Sequence, residues 1–130
     1  MDLFLDNPDR ELTNFVLQSE GQILRLCAID FAAANLTSLS GLQFPIAQDR
    51  TVLVGKLLRH LHRFFEESAF EMIDRIAAVP AGVLAGFLAE IPADWASETQ
   101  REGICGVWSS RQMRERLDAL RAGIRDASLL

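Results

Sequence analysis

Apolar and polar residues change their spacing once along this chain, near residue 50. Before that point two short aliphatic runs, Phe15-Val16-Leu17-Gln18 and Ile23-Leu24-Arg25-Leu26-Cys27-Ala28-Ile29, flank Ser19-Glu20-Gly21-Gln22. Two such runs around a glycine-bearing turn of four residues predict an antiparallel β-hairpin. Asn14 then stands at the entrance of the first strand and Asp30 at the exit of the second, at the same end of the ribbon. After residue 50 the period becomes helical: Leu53, Leu57, Leu61 and Phe64 recur at helical spacing, with Lys56, Arg59 and Arg63 on another face. Phe70, Ile73 and Ala77 continue it as far as Val79-Pro80, where proline breaks the pattern. Val83, Leu84, Phe87, Leu88 and Ile91 form a wide stripe closed by Pro92. Ile104, Val107 and Trp108 suggest a further helix. Met113, Leu117, Leu120 and Ile124 give a clean seam behind a candidate N-cap at Ser109-Ser110.

Residues 32–50 hold Asn35, Ser38, Ser40, Gly41 and Pro45 and predict an irregular connection, of a length that is usually functional or flexible. The predicted fold class is α+β, mainly α: one N-terminal hairpin packed on about five helices. With 130 residues the chain suits one domain, 1–130, made of a hairpin segment 1–50 and a helical segment 51–130.

Composition adds exclusions. Apolar residues at 49% and charged residues at 24% argue for a folded globular chain. A net charge of −5 argues against nucleic acid as a partner, since that binding neutralises phosphates with cations. No apolar run reaches the roughly 18 residues of a membrane span, and the acidic start Met1-Asp2-Leu3-Phe4-Leu5-Asp6 does not resemble a signal peptide. The expected location is therefore cytoplasmic, with no membrane partner. Cys27 and Cys105 lack metal or redox spacing and are expected to be reduced, packed thiols.

Candidate chemistry is concentrated in the first thirty residues. Asp9-Arg10-Glu11-Leu12-Thr13-Asn14 puts an aspartate five residues ahead of an asparagine at the mouth of a strand, and Ile29-Asp30-Phe31 returns a second aspartate. Phosphoryl transfer asks little more of a protein than a carboxylate to orient the attacking hydroxyl and oxygen ligands for magnesium on the phosphates. Asp9, Asn14 and Asp30 suit those three tasks. The competing reading is that all three satisfy free backbone N–H groups at turns and strand ends.

The order of these residues resembles the catalytic and metal-binding segments of the protein-kinase-like superfamily, above all the HipA-type and phosphoinositide-kinase-like proteins. There the loop reads Asp-Arg-His-x-x-Asn and the metal motif Ile-Asp-Phe-Gly; here Glu11 stands for the His and Ala32 for the Gly. Asn7-Pro8 before the loop and Phe15-Val16-Leu17 after it agree with the family. Ile91-Pro92-Ala93-Asp94-Trp95 is similar to a stretch in the helical tail of bacterial members. The resemblance covers nearly the whole chain as a C-terminal lobe. It implies that Asp9 is the catalytic base and that Asn14 and Asp30 bind Mg2+, with ATP only where a partner supplies the nucleotide lobe. Eight residues precede Asp9, and the only lysine, Lys56, lies after the motif. The expectation is a kinase-like fragment, inactive in isolation: half of a split phosphotransferase working with a separate N-lobe protein, or a non-catalytic pseudokinase remnant.

Other residues point less sharply. His60 and His62 would lie about 200° apart on a helix and cannot share a metal. Lys56, Arg59 and Arg63 could meet phosphate or an acidic partner, although a solvated face beside Glu66 and Glu67 is the simpler account. Trp95 and Trp108 are expected in the core. The alternative function is a small helical interaction module whose apolar face, with Leu3, Phe4 and Leu5, is covered in a homodimer or hetero-oligomer.

Overall fold

The computed structural model describes residues 1–30, 33–34 and 50–130. The connection expected over residues 32–50 therefore lies almost wholly outside the described residues, as do Phe31 and Ala32. The element order is α1 (Asp2–Leu5), a 3₁₀ turn (Leu12–Asn14), β1 (Phe15–Glu20), β2 (Ile23–Ala28), α2 (Arg50–Leu61), α3 (Glu66–Ala77), α4 (Ala81–Glu90), α5 (Glu98–Trp108) and α6 (Arg111–Arg125). This is an α+β fold, mainly helical, with one N-terminal hairpin.

β1 and β2 pair antiparallel from Phe15↔Ala28 to Glu20↔Ile23, which leaves a two-residue turn rather than the expected four. Gly21 takes φ 64 at the first turn position, the one a type II′ turn reserves for glycine. Such a tight turn matches the right-handed twist of the strands, and so Ser19 and Glu20 are drawn into the ladder. The hairpin lies alongside α2, where Phe15 and Leu26 each line a cavity with Leu58. Leu17, Leu24 and Leu26 are exposed nonetheless.

The core is built on α6. Met113, Leu117, Leu120 and Ile124 are all buried, at the spacing that puts them on one side of the helix. Against them pack Ile73 and Ile76 of α3, Leu3 and Phe4 of α1, Val52 of α2 and Leu129. Leu3 and Phe4 are thus interior, not part of an exposed face, because the short α1 turns its apolar side onto α6. Arg116 fixes that docking: its guanidinium, 3% exposed, donates to the carbonyls of Phe4 at 2.6 Å and Leu3 at 2.9 Å. Burial pushes the Arg116 pKa down and the Asp6 charge pushes it up.

Helix boundaries follow local chemistry. Ser97 and Gln100 form a reciprocal capping box at the start of α5. Pro80 precedes α4 in an extended conformation that admits a ring with no N–H. Ser110 is the N-cap of α6 by position, but its hydroxyl donates back to the Val107 carbonyl at 2.7 Å instead of capping. Trp108 meets Phe4 edge to face at 5.9 Å and donates its indole N–H to the Val79 carbonyl. Trp95, expected inside, is 78% exposed.

α2 reverses its expected orientation. Thr51 and Val52 are buried, whereas Leu53, Leu57 and Leu61 are exposed at 53%, 42% and 62%. Polar anchoring decides this: Thr51 bonds to the loop around Asn7, and Arg59 donates to the carbonyls of Ile124 and Leu130 while lying over the Phe64 ring. Among the described residues no single helix is long and apolar enough to cross a membrane; α3 and α4 reach that composition only as a pair bent by 76°.

Candidate functional site

The loop from Asn7 to Asn14 is held from beneath by a buried arginine. Arg10, 2% exposed, donates Nε to Asp2 Oδ1 at 2.8 Å, and its Nη2 reaches the same oxygen. Its Nη1 donates to the carbonyls of Asn14, at 3.2 Å, and Ile29, so one guanidinium joins α1 to both strands at the open end of the hairpin. The Phe15 ring lies 5.4 Å from the guanidinium carbon. Asn7, 1% exposed, adds an amide bond to Asp2 at 2.9 Å and accepts the Asp9 N–H at 3.4 Å. Burial pushes the Asp2 carboxyl up. The hydrogen bonds from Arg10 and Asn7 and the Arg10 charge outweigh it, so Asp2 titrates below its ordinary 3.8.

The first turn of α2 clamps the loop from the other side. Thr51 Oγ1 donates to the Asn7 carbonyl and accepts the Arg10 N–H at 3.2 Å. Arg50 donates to Asp9 Oδ1 at 2.9 Å and to Glu11 Oε1 through the same nitrogen. Two carboxylates therefore approach a helix N-terminus, where the dipole favours negative charge.

On this support stands the candidate pair. The Ile29 N–H donates to the Asn14 carbonyl at 2.9 Å, extending the ladder one step beyond the strands. Asn14 Nδ2 then donates to Asp30 Oδ2 at 3.2 Å, so residues sixteen apart in sequence touch at the hairpin's open end. Asp30 has φ 57, the left-handed region that aspartate tolerates better than most residues. Asp9 is 65% exposed at its side chain and bound to Arg50. Hydrogen bonding thus joins two of the three sequence-derived residues, and the third is paired with a cation from α2.

An amide and a carboxylate are hard oxygen donors of the kind that suit magnesium, which keeps waters and phosphate oxygens in its remaining positions. For Asn14 to be a ligand, its amide must turn by half a rotation and present Oδ1 where Nδ2 now donates. Among the described residues no three His, Cys, Asp or Glu side chains gather as a metal cluster. His60 and His62 are both exposed and separate from this site.

Sequence reasoning passed over Arg10, Asn7, Thr51 and Arg50. Arg10 and Asn7 were visible only as part of the motif and its flank, and nothing in their spacing marks them as buried. Arg50 and Thr51 lie about forty positions from their partners, beyond any local signal.

Comparison with protein-family models, with curated proteins and with solved structures returned no match.

Proposed function

We propose that this chain is a phosphotransferase C-terminal lobe of the HipA and phosphoinositide-kinase-like type. In this reading Asp9 orients the acceptor hydroxyl, and Asn14 and Asp30 hold Mg2+ on the nucleotide phosphates. The observation that carries it is the Asn14–Asp30 contact at 3.2 Å, which places the amide and carboxylate of the motif side by side above a buried support. When bound, the cation would draw negative charge from the phosphates. The chain's own residues would do the positioning: Arg10 fixes the carbonyls of Asn14 and Ile29, and Thr51 fixes the loop that carries Asp9. The Arg50 pairing to Asp9 and Glu11 supplies a reason for glutamate where the family has histidine, since Glu11 here answers a cation. Lys56, the only lysine, sits on α2 and not on a strand. The nucleotide phosphates would therefore be gripped by another lobe, on this polypeptide or a separate one.

Calorimetry with Mg2+ and a non-hydrolysable ATP analogue tests this, first on the chain alone and then with a candidate nucleotide lobe added. The expected result is magnesium-dependent binding that Asn14→Ala and Asp30→Ala each abolish while circular dichroism stays unchanged. Binding that survives both substitutions would refute the metal assignment.

A second reading, a protein-interaction module, is favoured by the exposed apolar residues. Leu17, Leu24, Leu61, Phe65, Phe87 and Trp95 are each more than 60% exposed. Unchanged activity of a bound partner after Asn14→Ala and Asp30→Ala would favour this reading.

A further inference from the structure

Two exposed apolar faces of this molecule carry opposite charge. The first is the outer side of α2, where Leu53, Leu57 and Leu61 recur every fourth residue. Every formally charged residue between Arg50 and Phe65 is positive, and among the described residues Lys56, His60 and Arg63 have no hydrogen-bond or ion-pair partner. The second is the outer side of α4 and the turn after it. Val83 and Phe87 lie one helical turn apart at 48% and 67% exposure, and Trp95 follows at 78%. Here the nearby charges are mostly negative: Glu90, Asp94, Glu98 and Glu102 are all exposed and likewise unpaired among the described residues, against one cation, Arg101, which donates to the Ile91 carbonyl at 2.7 Å.

α2 meets α1 and, through Val52 and Arg59, α6, whereas α4 packs on α5, so the two helices have different main neighbours. Each exposes what the other lacks: leucines with cations on one side, aromatic residues with carboxylates on the other. Opposite potentials steer an encounter and fix its register, and the apolar centre gives it free energy.

We infer that copies of this chain associate head to tail, the cationic leucine face of α2 in one copy seating on the acid-rimmed Phe87–Trp95 face of the next. The contact is heterologous, since the two patches differ, so association proceeds beyond a dimer unless the rotation closes a ring. α2 is about 18 Å long at 1.5 Å per residue, which sets the span of the contact. The inference is independent of the phosphotransferase reading, because neither face contains Asp9, Asn14 or Asp30.

Sedimentation velocity on the full chain, over a concentration series in about 0.1 M and about 1 M NaCl, tests it. The Debye length falls from about 10 to about 3 Å across that range. The expected result is a sedimentation coefficient that rises with concentration at low salt and returns toward the monomer at high salt. Leu57→Glu and Phe87→Arg, both at exposed positions, should each weaken self-association by about tenfold or more, the loss of one buried apolar side chain. Mixed together, the two variants should regain association, because each retains the face the other has lost. Leu53→Glu with Val83→Arg repeats the experiment if either first variant fails to fold. A wild-type chain monomeric at every concentration would overturn the inference, as would Phe87→Arg or Leu57→Glu self-associating like the wild type, which signals a symmetric dimer. Flotation of a monomeric wild type with phosphatidylserine vesicles would also overturn it, assigning the α2 face to an anionic lipid surface.

Discussion

Replacing Arg10 by methionine removes the guanidinium and keeps most of the aliphatic length. Arg10 is 2% exposed, and its bonds run to a carboxylate with 16% side-chain exposure and to two strand-end carbonyls. Removing one partner of a buried ion pair costs about 3–5 kcal/mol, because the other charge is left unpaired. Asp2 keeps the Asn7 amide at 2.9 Å and some contact with solvent, which places the expected loss near the bottom of that range, about 3 kcal/mol. In a domain of ordinary stability, about 5–15 kcal/mol, this is a large fraction. With an m-value of about 1–3 kcal/mol/M in urea, the midpoint should fall by about 1–3 M.

The pH dependence gives an independent check on the same pair. The folded pKa of Asp2 lies below its unfolded value, so its contribution is complete above about 4 and is lost as pH falls through the lower, folded value. Without Arg10 the lowering by its hydrogen bond and charge is gone and burial is opposed chiefly by the Asn7 amide, so acid removes a smaller favourable contact. The stability gap between wild type and Arg10→Met should therefore shrink between about pH 5 and pH 3. Asp2→Asn combined with Arg10→Met should cost less than the sum of the single changes, since both remove one shared interaction. A loss under about 1 kcal/mol at neutral pH, or a gap that does not shrink in acid, would refute the argument that Arg10 holds the loop to α1 and the hairpin.

The remaining predictions concern packing and the surface. Leu117→Ala, at 7% exposure in the centre of the α6 seam, should cost about 2–5 kcal/mol by denaturant titration, while Val83→Ala at 48% exposure should stay within about 0.5 kcal/mol. A Cβ at Gly123 would overlap the Leu129 side chain, whereas Gly103 has open space, so Gly123→Ala should lower the melting temperature and Gly103→Ala should raise or preserve it. Arg50→Ala should cost no more than about 1 kcal/mol, because both its ion pairs are roughly half exposed or more; a larger loss would mean the clamp on Asp9 is structural and not merely electrostatic.

Several features of this protein were legible from residue order alone. Gly21 between two aliphatic runs specified a hairpin, and the hairpin's register brought Asn14 and Asp30 to one end. Met113, Leu117, Leu120 and Ile124 specified the buried side of α6, and Pro80 and Pro92 bounded α4. These are short-range facts: helical and strand periods, and the dihedral limits of glycine and proline, act within a few residues. Tertiary structure alone decided which side of α2 is buried. Its leucines gave a well-formed stripe, yet hydrogen bonds from Thr51 to a loop more than forty residues earlier, and from Arg59 to α6 and Leu130, turned the stripe outward. It decided equally that Arg10 is interior, that Trp95 is exposed, and that Asp9 faces Arg50. A local pattern can state that a helix has two unlike sides. Which side is covered, and which ion meets which, depends on chain segments brought together from far apart, and their positions are set by the sum of all the packing rather than by any neighbourhood in sequence.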